Sequence, residues 1–212
     1  MIYDISPPIT PDLAVWPGDT PPAREVLLDM QRGDNITLST LRATVHLGAH
    51  ADAPSHYAER GAAIDQRPLE LYLGPCQVVR VAARRGARVG PAELPGPFRA
   101  ERVLVATGTY PEPSRFNRDF AAFAPELIDF LHERGVRLVG IDTPSVDLED
   151  SKDLPTHQRV RARDMAILEG LVLGEVPEGL YELIALPLPL VGYDASPVRA
   201  VLRTLGDRYP KR

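Results

Sequence analysis

The stretch APELIDFLHERGVRLVGID, residues 124–142, decides the fold class. Its first half, Ala124 to Arg134, sets Leu127, Phe130 and Leu131 at the i, i+3, i+4 spacing of one helical face, and Gly135 supplies the stop. Its second half, Val136 to Asp142, is a short apolar run that reads as a strand. A helix followed at once by a strand predicts a mixed α/β fold. His132 lies near the end of this helix, where the partial negative charge of the helix C-terminus accounts for a surface or capping histidine.

Further strands are expected on either side. Ile2 to Ile5, Gln77 to Val81 (rich in β-branched residues), Arg102 to Thr107 and Tyr181 to Leu186 all read this way. The tail Pro197 to Leu202 alternates, and a strand is preferred there over a short helix. Ala162 to Leu173 reads as a helix with Ile167 and Leu168 in the core, interrupted by Gly170 and Gly174. Residues 84–98 form a polar connection, and residues 111–120, which include Phe116, form a loop with room to move. The only tryptophan, Trp16, sits in a loop marked by the turn signal Pro17-Gly18. It is either a hydrophobic plug or an aromatic wall for a flat substrate ring.

At 212 residues the chain, 1–212, is one domain with room for a sizeable core. A hydrophobic content of 44% with 25% charged residues is ordinary for a globular protein. The net charge of −5, without a basic run, argues against nucleic acid as a partner. No apolar run approaches the roughly 18 residues of a membrane-spanning helix. The N-terminus lacks a signal-peptide pattern, and the single cysteine, Cys76, excludes an internal disulfide, so the expected location is the cytoplasm. Cys76 itself is expected to be a buried structural thiol. The 22 prolines are dispersed, which predicts many short, stiff loops.

The chemistry concentrates in HLGAHADAPSH, residues 46–56, which holds three of the five histidines and Asp52. A helix would put His46 and His50 together but turn Asp52 away, about 200° round the axis, and it would have to contain Gly48 and Pro54. Extended chain gives His46, His50, Asp52 and His56 one parity and one face. The expectation is a strand over Ile36 to Val45 that runs out into an extended loop. Imidazole and carboxylate ligands together favour zinc or a similar metal over calcium. With His157 and Glu169 the candidates are His46, His50, Asp52, His157 and Glu169. Five protein ligands crowd one catalytic zinc but suit two metals if both carboxylates bridge. Such a pair, about 3.5–4 Å apart, lowers the pKa of a shared water toward 7. His56 is left over, either to move protons or to orient a ligand.

The same eleven residues resemble the signature of the metal-dependent cyclase family, in which His-x-Gly-Thr-His-x-Asp-x-Pro-x-His is typical. Ala49 in place of threonine is characteristic of one branch, the bacterial kynurenine formamidases (arylformamidases). The likeness extends to Asp4 to Pro8, Val15 to Thr20, Gly135 to Asp147, Ala166 to Leu171, Glu182 to Leu188 and Asp194 to Ala200. The resemblance implies a single-domain fold of the swivelling β/β/α type, with a mixed sheet and a few helices. It implies two zinc ions per subunit: His46, His50 and Asp52 at the first, His157 at the second, and Asp52 and Glu169 bridging. It implies His56 as proton donor and acceptor, Trp16 as a substrate contact, and a homodimer. The implied reaction is hydrolysis of N-formyl-L-kynurenine to L-kynurenine and formate, a step of tryptophan degradation.

Overall fold

The computed structural model describes residues 1–94 and 96–205. Its frame is a nine-stranded mixed sheet with three α-helices among the described residues. Four parallel strands form its centre: β5 (Leu73–Arg80), β7 (Arg102–Ala106), β9 (Leu138–Ile141) and β10 (Ala166–Glu169). On the β5 side the sheet continues antiparallel through β11 (Gly179–Ile184) and β13 (Val201–Thr204) to β1 (Ile2–Asp4). On the β10 side it continues antiparallel through β4 (His50–Asp52) to β12 (Ala195–Pro197). Two small pairs stand apart: β2 (Ala23–Leu28) with β3 (Leu38–Arg42), and β6 (Arg88–Val89) with β8 (Ala122–Phe123).

The two-residue period of the strands divides the core in two. Leu104, Leu138 and Leu168 face one side with Ile5, Tyr72 and Leu183. Val103, Val105, Val139 and Ile167 face the other, where Leu127, Ile128 and Leu131 of α2 (Pro125–His132) and Val160 of α3 (Pro155–Ala162) cover them. Full burial of each such aliphatic side chain contributes about 1.5–3 kcal/mol. The helix and strand expected over residues 124–142 are therefore present, and His132 is exposed at the end of α2. The tail expected as one strand over Pro197 to Leu202 is not helical, but it is divided: Pro197 ends β12, residues 198–200 connect, and Val201 begins β13. Cys76 is buried.

Two expectations are corrected. Ala162 to Leu173 is not a helix: its apolar run is β10, buried on both faces between β9 and β4. A short run with apolar neighbours on every side carries no period that separates strand from helix. The helix in this region lies earlier, as α3. Pro155 opens it, and the Asp147 carboxylate accepts hydrogen bonds from the first-turn backbone N–H groups of Thr156 and His157, which have no partner within the helix, at 3.1–3.2 Å. Nor do residues 36–56 form one extended run. β3 ends at Arg42, a loop carries His46, β4 holds only His50 to Asp52, and His56 sits on the short helix α1 (Pro54–Tyr57).

A backbone contact locks β10 to the loop before β4. Gly170, with φ +65°, lies so close to that loop that a Cβ there would sit 2.1 Å from the Gly48 carbonyl oxygen. Gly48 is itself left-handed at φ +56°. Gly170→Ala therefore combines a left-handed backbone cost with a backbone clash, and the expected loss is about 2–4 kcal/mol. Urea denaturation monitored by circular dichroism checks this; a loss below about 1 kcal/mol would show that the contact yields easily.

Candidate metal centre

Strand register places the first three candidate ligands. β4 pairs with β10 so that Asp52 lies opposite Ile167 and His50 opposite Glu169. Directly opposed residues in an antiparallel pair share a face. Ala51 points into one half of the core, so His50, Asp52 and Glu169 emerge together on the other side, toward α3. Each offers a ligand atom within 4.8 Å of the other two. His157 arrives from α3 with its Nε2 at 3.4 Å from Asp52 Oδ2 and 3.5 Å from Glu169 Oε1. His46 arrives from the loop with its Nδ1 at 3.1 Å from Asp52 Oδ1. The structure thus brings together all five residues of the expected set.

Each of the three histidines is anchored at its other ring nitrogen. His50 Nδ1 donates to the Gly48 carbonyl at 2.8 Å. His157 Nδ1 donates to Asp147 Oδ2 at 2.8 Å. His46 Nε2 donates to Asp194 Oδ2 at 2.9 Å. Carbonyl and ionised carboxylate oxygens only accept, so these contacts fix which nitrogen of each neutral imidazole carries the proton. The nitrogen turned inward then has a lone pair aimed at carboxylate oxygen. Such an arrangement requires a cation between the partners: a proton on the imidazole, or a metal ion. Anchoring by an outer acceptor is also how metal-binding histidines are commonly oriented.

Asp52 provides the test of fit. It is buried, and neither of its carboxylate oxygens has a hydrogen-bond partner. A buried carboxylate left in that state costs several kcal/mol unless a cation compensates it. Glu169, equally buried, has one partner in the Val146 N–H, which donates to Oε1 at 2.7 Å. Two carboxylates and three inward-facing imidazole nitrogens, with no thiolate, match the donors of a zinc-type ion.

The site's own charges respond accordingly. Burial opposes protonation of His46, but the carboxylates of Asp52 and Asp194 outweigh it and hold the imidazole up to about 9. Burial also opposes protonation of His157, which Asp147, Asp52 and Glu169 hold well above the ordinary histidine range. Burial pushes Asp147 upward, while His157 and Arg88 bring it down to about 2. Protonated imidazoles thus supply the compensating charge in the absence of a metal.

His56 stands at the edge of this group. Its ring centroid is 4.2 Å from that of His46, and a ring nitrogen lies within 4.8 Å of ligand atoms on His46 and Asp52. A cavity of about 490 Å³ opens from the histidines. Trp16, Tyr110 and Phe116 line its apolar side, and Trp16 packs edge-on against Phe116 at 5.4 Å and Phe120 at 6.1 Å. Trp16 therefore serves as a packed wall as well as a cavity surface.

Three acids in or beside the site were given no role from the sequence. Asp147 follows the strand expected to end at Asp142, and its partner His157 is ten residues away. Asp194 is 148 residues from His46. Asp142, at the end of β9, lines the cavity and accepts from the N–H groups of Thr107 and Gly108 and from Thr107 Oγ1 at 2.6 Å. Thr107 Oγ1 in turn contacts Thr109 Oγ1, which accepts from Ala121 N–H. This chain ties down both ends of the loop that carries Tyr110 and Phe116, so residues 111–120 are anchored more firmly than expected. A signal existed only for Asp142, an acid at the carboxyl end of a predicted strand of an α/β fold, where such sheets place ligands.

The comparisons agree with this architecture. The family model described as "Putative cyclase" matches residues 3–148, and the chain belongs to that cyclase family. A structure described as a "potential metal-dependent hydrolase with cyclase activity" is 30% identical, with a TM-score of 0.83 over 95% of this chain and 96% of the other. A structure described as a "predicted metal-dependent hydrolase from Bacillus stearothermophilus" is 29% identical, with a TM-score of 0.75 over 95% and 97%. Isatin hydrolase A from Labrenzia aggregata, bound to benzyl benzoate, is 25% identical, with a TM-score of 0.78 over 97% and 94%.

The histidine shifts carry a stability consequence. A folded pKa above the unfolded value of about 6.5 means that the folded chain holds extra protons. The stabilisation is complete below about 6.5 and is lost as pH rises through the folded value, about 9 for His46. Chelator-treated protein should therefore show a falling melting temperature from pH 6.5 to 9 in calorimetry. A flat or rising profile would contradict this charge arrangement.

Proposed function

We propose that this protein is a zinc-dependent amide hydrolase that converts N-formyl-L-kynurenine to L-kynurenine and formate in the cytoplasm. The observation that carries the reading is the set of three histidines, each anchored outward at one ring nitrogen and turned inward on Asp52, whose buried oxygens lack partners. His46, His50, Asp52, His157 and Glu169 would hold two zinc ions. When bound, the metals lower the pKa of water and polarise a carbonyl oxygen.

The chain's own groups account for the remaining steps. Trp16 and Phe116 line the cavity where a planar aromatic ring would pack. His56, with its side chain 35% exposed at the cavity edge, takes the proton released as water adds to the formyl carbon. It returns that proton to the arylamine nitrogen as the C–N bond breaks, giving a neutral amine and formic acid, which releases its own proton to solvent and leaves as formate. The largely buried carboxylates and imidazoles keep bulk water from screening the charges involved.

A second reading, hydrolysis of isatin or a related cyclic amide, is favoured by the likeness to isatin hydrolase A. The chemistry is the same and the pocket decides. The proposal includes a homodimer. The β2–β3 arm exposes Leu27, Met30, Leu38 and Leu41, an apolar surface that a second copy would cover.

Turnover of formylkynurenine and isatin, measured side by side after chelation and zinc return, tests the reading. Activity on formylkynurenine should vanish with chelation, return with zinc and exceed that on isatin. His56→Ala should keep its zinc and lose kcat by about 10²–10⁴-fold, whereas Asp52→Ala should lose zinc as well. A fully active His56→Ala, or one that no longer binds zinc, would remove His56 from the proton-transfer role.

A further inference from the structure

The backbone around Asp194 is pinned at the site. β12 pairs with β4 so that Ala195 lies opposite Asp52. The Asp194 carbonyl accepts from Ala53 N–H at 2.8 Å, and the Tyr193 carbonyl accepts from Ile64 N–H at 2.9 Å. These contacts hold the Asp194 side chain beside two imidazoles at once. Its Oδ2 accepts from His46 Nε2 at 2.9 Å and lies 3.4 Å from His56 Nδ1. The same oxygen faces both rings, whose centroids are only 4.2 Å apart.

We propose that Asp194 is a positioning residue that sets the working tautomer of His56. An ionised carboxylate can only accept, so its presence favours the proton on Nδ1 of His56. That leaves the His56 Nε2 lone pair free to take a proton. The 3.4 Å separation is long for a hydrogen bond, as catalytic contacts without bound substrate commonly are. His46 keeps Asp194 in place: its own bond to Oδ2 anchors the carboxylate from the buried side, while 46% of the Asp194 side chain stays exposed. Asp194 thus links one inward-facing ligand candidate to the proposed proton shuttle without itself facing the cavity. The inference rests on the proton-transfer role given to His56 above.

The test uses the zinc-loaded protein with isotope-labelled histidine and compares wild type with Asp194→Asn. Long-range proton–nitrogen correlation spectra report the tautomer of each of the five histidines, and His56→Gln assigns the His56 signals. His56 should carry its proton on Nδ1 in wild type and shift toward Nε2 in Asp194→Asn. At saturating zinc and substrate, kcat of Asp194→Asn should fall about 10²-fold with KM held within about threefold. An unchanged His56 tautomer overturns the proposal, as does a loss of activity that appears only in KM. The spectra need no substrate, so a wild type inactive on both amides would defeat the hydrolase reading and leave the tautomer result decisive for Asp194.

Discussion

A carboxylate buried without a partner is the constraint on which the site is built. Asp52 lies on β4 inside the sheet, with both oxygens unsatisfied and three imidazole nitrogens within 3.5 Å. Leaving it bare would cost a large part of the net stability of a domain of this size, about 5–15 kcal/mol. Positive charge must therefore accompany it. In metal-free protein the raised affinity of His46 and His157 for protons meets that need. A metal ion would also meet it, because His46, His50 and His157 each have the outward nitrogen committed and the inward nitrogen turned toward Asp52.

The sheet makes this arrangement without a dedicated metal-binding loop. Register alone puts His50 opposite Glu169 on one face of two neighbouring strands. The parallel order of β9 and β10 allows the helix between them, α3, to cross that face and lower His157 onto it. Asp147 has two tasks here, capping α3 at its N-terminus and anchoring the His157 ring. The close approach of Gly170 to Gly48 fixes the distance between β10 and the loop that delivers His46. Stability of the helix, of the glycine contact and of the ligand geometry are thus coupled.

Much of this was legible in the residues. The 124–142 stretch forecast its helix and strand because each has a clear period or a clear end. The eleven-residue histidine stretch was legible as a metal site because histidines are rare in this chain and crowded there. The parity argument held for His50 and Asp52, which lie on a real strand, and failed for His46 and His56, which reach the site through a loop and a short helix. The strand carrying Glu169 was misread as a helix because β10 is buried on both faces and has no polar alternation to display. Asp147 and Asp194 could not be found, since an anchoring acid is defined by a contact across the fold and leaves no local pattern. The charged site and the resemblance agree because both rest on the same few residues, while the acids that orient those residues become visible only in three dimensions.

Central to the proposed function is that the five side chains converging on Asp52 would hold two zinc ions. Zinc titration of chelator-stripped protein against a competing chromophoric chelator tests it most directly. Two tightly bound zinc ions per chain are expected. Saturation at a single ion, or no binding that competes with the chelator, would contradict it.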